Sequence, residues 1–155
     1  MQTLKKYVTE AKHSYHVSDH MAHTTYNLLK DPKLLLLATT HLNKAIESSI
    51  SALLYHDFLF KRISRFPEDY SSKMDIFKRN TLNRYSLPRS VIPAIMEIRE
   101  IVKDHQSSEM EFRRKNKFII ASKNFRLRAL TIEKLKNLIK LTKPLINKVS
   151  EIKET

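Results

Sequence analysis

Not one of the 155 residues is glycine. Glycine adopts positive φ without steric cost, so a chain without it lacks the easiest route to Gly-rich phosphate loops, dinucleotide fingerprints and sheets laced with primed turns. Nucleotide-loop enzymes drop out as a class. Long helices joined by short polar connections fit best, and the hydrophobic periodicity asks for the same arrangement.

Leu4, Val8, Ala11, Tyr15, Ser18, Ala22, Thr25 and Leu29 recur at steps of four and three, predicting a first helix from about Thr3 to Leu29. Asp31 is placed to cap a second helix with Pro32 in its first turn, and Ala38, Leu42, Ala45, Ser49, Leu53 and Phe60 carry that helix to about Ile63. Arg65 to Glu68 reads as a connection, followed by a shorter helix from about Ser72 to Tyr85. Leu87-Pro88 interrupts, and Ser90 is placed to cap a fourth helix whose seam is Val91, Ile95, Ile98, Val102 and His105. The period then changes to two. Lys117 to Ala121 and Phe125 to Leu130 predict a two-stranded ribbon with Arg126 and Arg128 on one face. Thr131 is placed to cap a last helix built on Ile132, Leu135, Leu138, Ile139, Leu145, Ile146 and Val149, bent at Pro144. No repeat or linker divides the chain. The expected fold is all-α: an antiparallel helical bundle of about five helices with a short β-hairpin before the last, in a single domain over 1–155.

Twenty-nine Lys and Arg against 16 Asp and Glu give a formal charge of +13. Such a field favours polyanions, and nucleic acid, RNA rather than DNA, is the expected partner ahead of an anionic membrane surface or a purely solubilising role. With no cysteine the chain has neither a disulfide framework nor thiolate metal sites. MQTLKKY at the start has no apolar stretch behind it, and the longest aliphatic run, Leu34 to Ala38, falls far short of the ~20 residues a membrane helix needs. The expected location is the cytoplasm, without membrane association.

Arg99 and His105 stand six residues apart near the end of the fourth helix. An imidazole moves a proton and a guanidinium holds a phosphate, so the pair is the candidate catalytic site. The plainer alternative puts His105 in the core seam and Arg99 in a surface ion pair near Glu100 or Asp104. Just beyond lies the densest basic stretch, where Arg113, Arg114, Lys115, Lys117, Lys123, Arg126 and Arg128 meet only Glu111. These residues, with Phe125 placed to stack on an unpaired base or to anchor the ribbon, form the candidate nucleic-acid surface. His13, His16, His20 and His23 make one stripe on the first helix, away from its apolar seam. A solvated polar face is expected there, with a metal face or a protonation-sensitive interface as alternatives. His41 and His56 are expected at the core edge, bonded to backbone carbonyls. No local signature supports an acyl-transfer triad, and neither metal nor cofactor is expected.

The long helical pair, the Ala38-x-x-His41-x-x-x-Ala45 pattern, and the arginine followed by histidine on a later helix together resemble a HEPN domain. That resemblance implies an antiparallel helical bundle, commonly dimeric, and in many members a metal-independent ribonuclease in which Arg99 and His105 carry cleavage. Glu100 stands where active members usually have Asn, Asp or His. Asp31-Pro32-Lys33-Leu34-Leu35, Phe66-Pro67-Glu68 and Glu111-Phe112-x-Arg114-Lys115 are also similar to segments of small helical proteins of archaea, a likeness that implies no activity. The expectation is an RNA-binding helical protein and homodimer, with a metal-independent endoribonuclease as its catalytic form. The alternative is a non-catalytic, antitoxin-like module docking to RNA, the ribosome or an acidic partner.

Overall fold

The computed structural model describes residues 2–122 and 126–152. Within them, five helices and a small three-stranded antiparallel sheet before the last helix make the fold. Helix α1 runs through Gln2–His20, a π-helical turn Met21–Thr25 and a last turn Tyr26–Leu29. Its buried stripe begins as expected with Leu4, Val8, Ala11 and Ser18, then passes through Ala22 to Tyr26, leaving Leu29 66% exposed. Ser14, Ser18, Ala22 and Tyr26 are all buried, at three successive steps of four. Each such step overshoots an ideal α-turn by about 40°, and a π turn, with more residues per turn, takes up the excess. Thr25 and Leu29 are displaced from the seam for this reason.

Helix α2, Lys33–Leu59, is the central element, packed by α1 and by the last two helices. Asp31 Oδ1 accepts from the Lys33 N–H at 3.0 Å, the cap that Asp31-Pro32 led one to expect. Ala38, Leu42, Ala45, Ser49 and Leu53 are buried as expected, but so are Leu36, Ile46, Ile50 and Leu54 on other faces. The Ser18 hydroxyl donates to the Ala38 carbonyl at 2.8 Å across the α1–α2 contact. The helix stops four residues before Ile63. Lys61 takes a left-handed φ of 58° and its N–H turns back to Phe58 O, so Phe60 is 62% exposed instead of lying in the seam.

Helix α3 comprises Tyr70–Ile76, a π-helical turn Phe77–Thr81 and Leu82–Arg84. Asp69 caps it through the Ser72 N–H at 3.0 Å, two residues earlier than the sequence suggested. Helix α4, Val91–Gln106, buries Val91, Ile95, Ile98 and Val102 as expected, whereas its terminal His105 is only half-buried. Ser90 makes no side-chain cap; the N–H groups of Val91 and Ile92 bond instead to the carbonyls of Pro88 and Arg89, both at 3.1 Å.

The expected ribbon has a further strand. β1, Met110–Arg114, pairs antiparallel with β2, Lys117–Ala121, and β2 pairs antiparallel with β3, Leu127–Leu130. Register places Arg113 opposite Phe118 and Leu130, and Glu111 opposite Ile120 and Arg128. Phe118, Ile120 and Leu130 are buried, so β1 presents charged residues on the same face as the apolar ones of its neighbours. That placement hides its alternation from a hydrophobicity reading. The β1–β2 turn is Lys115-Asn116, with Lys115 at φ 56° doing what glycine does in most two-residue turns. Helix α5, Ile132–Ser150, is capped by Thr131 Oγ1, which accepts from the Lys134 N–H at 3.1 Å, and contains Pro144 within its continuous span. No helix among the described residues is long and apolar enough to cross a membrane.

Candidate functional site

Asn116 and Lys117, at and beside the β1–β2 turn, sit against the end of α1 and the start of α5. Together with Tyr26, Lys30, Thr131 and Glu133 they line a groove of about 520 Å³. The basic residues nearby fall into two groups. Arg113 Nε lies 3.2 Å from Asp31 Oδ1, and Arg128 Nε lies 2.7 Å from Asp104 Oδ2 with its Nη2 3.6 Å from Glu100. Those two arginines tie the sheet to the helices. Arg114, Lys115, Lys117 and Arg126 are exposed and form no salt bridge among the described residues. Arg126 lies just before β3 and, with Arg128, lines a second groove beside Glu100 and Asp104. Lys123 and Phe125 lie outside the described residues. Lys30 was not anticipated in this surface; only the fold brings the end of α1 to the hairpin.

The Arg99 guanidinium lies over the Tyr70 ring, 3.4 Å from its centroid, and donates to Glu47 Oε1 at 3.0 Å. Its ion-pair partner is therefore on α2, not Glu100 or Asp104, which Arg128 engages. Arg99 borders a cavity of about 390 Å³ where α1 to α4 meet. In that cavity Lys73 Nζ donates to Ser51 Oγ at 3.0 Å and pairs with Glu68 at 3.0 Å. Burial pushes the Tyr70 hydroxyl above its ordinary pKa, while the stacked arginine opposes the shift.

His105 points elsewhere. Its Nδ1 is hydrogen-bonded to Glu111 Oε2 on β1 at 2.5 Å, and its side chain is 38% exposed. With Glu111 as a carboxylate, Nδ1 carries the proton and Nε2 is left for a ligand. On a regular helix, residues 99 and 105 are about 9 Å apart along the axis and about 120° apart around it. Within the chain the two side chains take different partners and do not converge.

All four histidines of the α1 stripe are exposed. The His16 and His20 rings stack with centroids 6.2 Å apart, and His23 Nδ1 lies 3.0 Å from Asp19 Oδ1. No group of three or more His, Cys, Asp or Glu among the described residues is placed to hold a metal. His41 is half-buried.

His56 meets no backbone carbonyl; its Nδ1 is 2.8 Å from the Tyr85 hydroxyl, which donates to Asp57 Oδ1 at 2.8 Å. Asp57 is fully buried, with Arg62 Nη1 3.4 Å from Oδ1 and Arg84 Nη1 3.3 Å from Oδ2. Burial, reinforced by Arg62, holds the His56 imidazole below its ordinary pKa. Burial and the bond to Asp57 push the Tyr85 phenol up. Adjacent His56 and Asp57 are visible in the sequence, but nothing there connects them to Tyr85. The molecule is thus a helical protein with a basic hairpin at one place and, at another, a chain running from the buried Asp57 carboxylate through the half-buried Tyr85 phenol to the half-buried His56 imidazole. Comparison with protein-family models, curated proteins and solved structures finds no match.

Proposed function

We propose that the protein binds single-stranded RNA through the β1–β2 hairpin tip, as a HEPN-like helical bundle acting as a homodimer. The observation that carries this reading is the division among the basic residues. Arg113 and Arg128 are consumed by carboxylates, whereas Arg114, Lys115 and Lys117 at the turn end of the sheet, and Arg126 at its far end, are exposed and form no salt bridge among the described residues; Lys117 lines a groove with Lys30. Exposed cations without an ion-pair partner attract a phosphate chain. Anisotropy titration of a mixed-sequence RNA at several salt concentrations tests it. Arg114→Ala, Lys115→Ala and Lys117→Ala should each flatten the plot of log affinity against log salt by about 0.7, the share of one phosphate on a single strand. Slopes unchanged in all three would remove the hairpin from the interface.

One further observation favours the catalytic form: the Glu111 carboxylate orients His105 with Nε2 free, the arrangement of a general acid or base held by a third group. In that form a second protomer would supply Arg99, released from the Glu47 and Tyr70 contacts that hold it within its own chain. RNA incubated in EDTA should then yield 2′,3′-cyclic phosphate ends, and His105→Ala should slow cleavage by a factor on the order of 10² or more. Bound but intact RNA would leave the non-catalytic binding module.

A further inference from the structure

The Asp57–Tyr85–His56 chain ends in a cleft remote from the hairpin. His56, Arg84, Tyr85, Ser86, Lys148 and Glu151 line a space of about 280 Å³ between the ends of α2, α3 and α5. From Ile132, beside the hairpin groove, to Lys148 is sixteen residues of α5, or about 24 Å. The cleft is a separate place on the molecule.

Its hydrogen bonds fix the chemistry it offers. Tyr85 has one hydroxyl proton and gives it to Asp57 Oδ1, so its oxygen can only accept from His56 Nδ1. The imidazole is thereby locked as the Nδ1–H tautomer, and Nε2 carries a lone pair with no hydrogen-bond donor among the described residues. Among the described residues the lining carries Arg84 and Lys148 against Glu151; Arg84 lies 3.3 Å from buried Asp57, which Arg62 also approaches, and Lys148 lies 3.5 Å from Glu151, leaving an excess of one positive charge while the imidazole is neutral. An anion that also offers an O–H donor beside its charge matches this set. Phosphate next to a free sugar hydroxyl is that combination, and the volume suits a sugar phosphate. We propose that this cleft binds a ribose phosphate, with Arg84 and Lys148 holding the phosphate and His56 Nε2 accepting a hydrogen bond from the adjacent ribose hydroxyl. Tyr85 is a positioning residue that sets which imidazole nitrogen faces the ligand. The proposal stands independently of the hairpin reading.

Calorimetric titration of the full chain with cytidine 3′-monophosphate, its 2′-deoxy counterpart and inorganic phosphate tests it. The ribonucleotide should bind about tenfold more tightly than the deoxyribonucleotide, the scale of one good hydrogen bond. His56→Ala should abolish that difference, and Lys148→Ala, a change at a half-exposed site, should weaken both nucleotides alike. Imidazole ¹⁵N spectra should show the His56 proton fixed on Nδ1, and Tyr85→Phe should move them toward mixed tautomers. Equal affinity for the two nucleotides, a preference that survives in His56→Ala, inorganic phosphate binding as tightly as the ribonucleotide, or no binding at all would each overturn the proposal. Arg114→Ala and Lys117→Ala should leave these titrations unchanged while altering the salt dependence of RNA binding, so the two sites fail or succeed separately.

Discussion

Asp57 has no route to water, and a phenol and two guanidiniums converge on it. Truncating one partner of a buried ion pair typically costs about 3–5 kcal/mol. The Arg62 and Arg84 side chains remain 44% and 31% exposed, so solvent recovers part of that loss. Asp57→Ala is expected to cost about 2–3 kcal/mol in urea unfolding, a value discounted for that exposure. A midpoint matching the wild type would show that the cluster contributes nothing to stability. His56 adds a pH dependence whose sign follows from its lowered pKa. An unfolded imidazole titrates near ~6.5, so below that pH the unfolded chain binds a proton that the native chain resists. Stability is complete above about pH 6.5 and declines as the pH falls from there through the lower native value. Thermal melts between about pH 7.5 and 5 should show this decline, and His56→Gln should make it shallower.

At the scale of elements, the sheet is fastened to the bundle by Arg128, which meets Asp104 and Glu100 on α4, and by Arg113, which meets Asp31. Arg128→Ala should therefore lower stability by about 1 kcal/mol and leave the salt slope of RNA binding untouched, the reverse of Lys117→Ala. A flattened slope in Arg128→Ala would mean that its carboxylates release it to the ligand. Part of this architecture was legible beforehand. The α2, α4 and α5 seams follow a plain helical period, and the Asp31 and Thr131 caps are local to a few residues, so sequence alone exposes them. The π turn in α1 was hidden because steps of four and steps of three look alike until they accumulate. β1 was hidden because Glu111 and Arg113 stand on its inner face, paired with residues distant in sequence. For the site, the basic stretch could be seen but not its division into tied and untied cations, since Asp31 and Asp104 reach it only through the fold. The exposed histidine stripe on α1 carries its own prediction: stoichiometric zinc should leave the melting temperature unchanged, and a rise of several degrees that His16→Ala removes would reveal a metal face.

For the molecule as a whole, a charge of +13 on 155 residues means self-repulsion, which salt relieves. Raising sodium chloride from about 50 to about 500 mM should increase the melting temperature even though it weakens the surface ion pairs, and a decrease would show those pairs to dominate. The chain reversals bear on a broader matter. Lys30, Lys61, Ser86 and Lys115 all sit at φ between 53° and 58°, the region glycine ordinarily fills. Putting glycine there would relieve about 1 kcal/mol of backbone strain at each position. The same exchange would loosen the unfolded chain by about 0.4–1 kcal/mol per position, nearly cancelling the relief. Stability thus gains almost nothing from glycine at these four reversals, and a chain built from seventeen residue types, glycine not among them, turns here as well as one that has it.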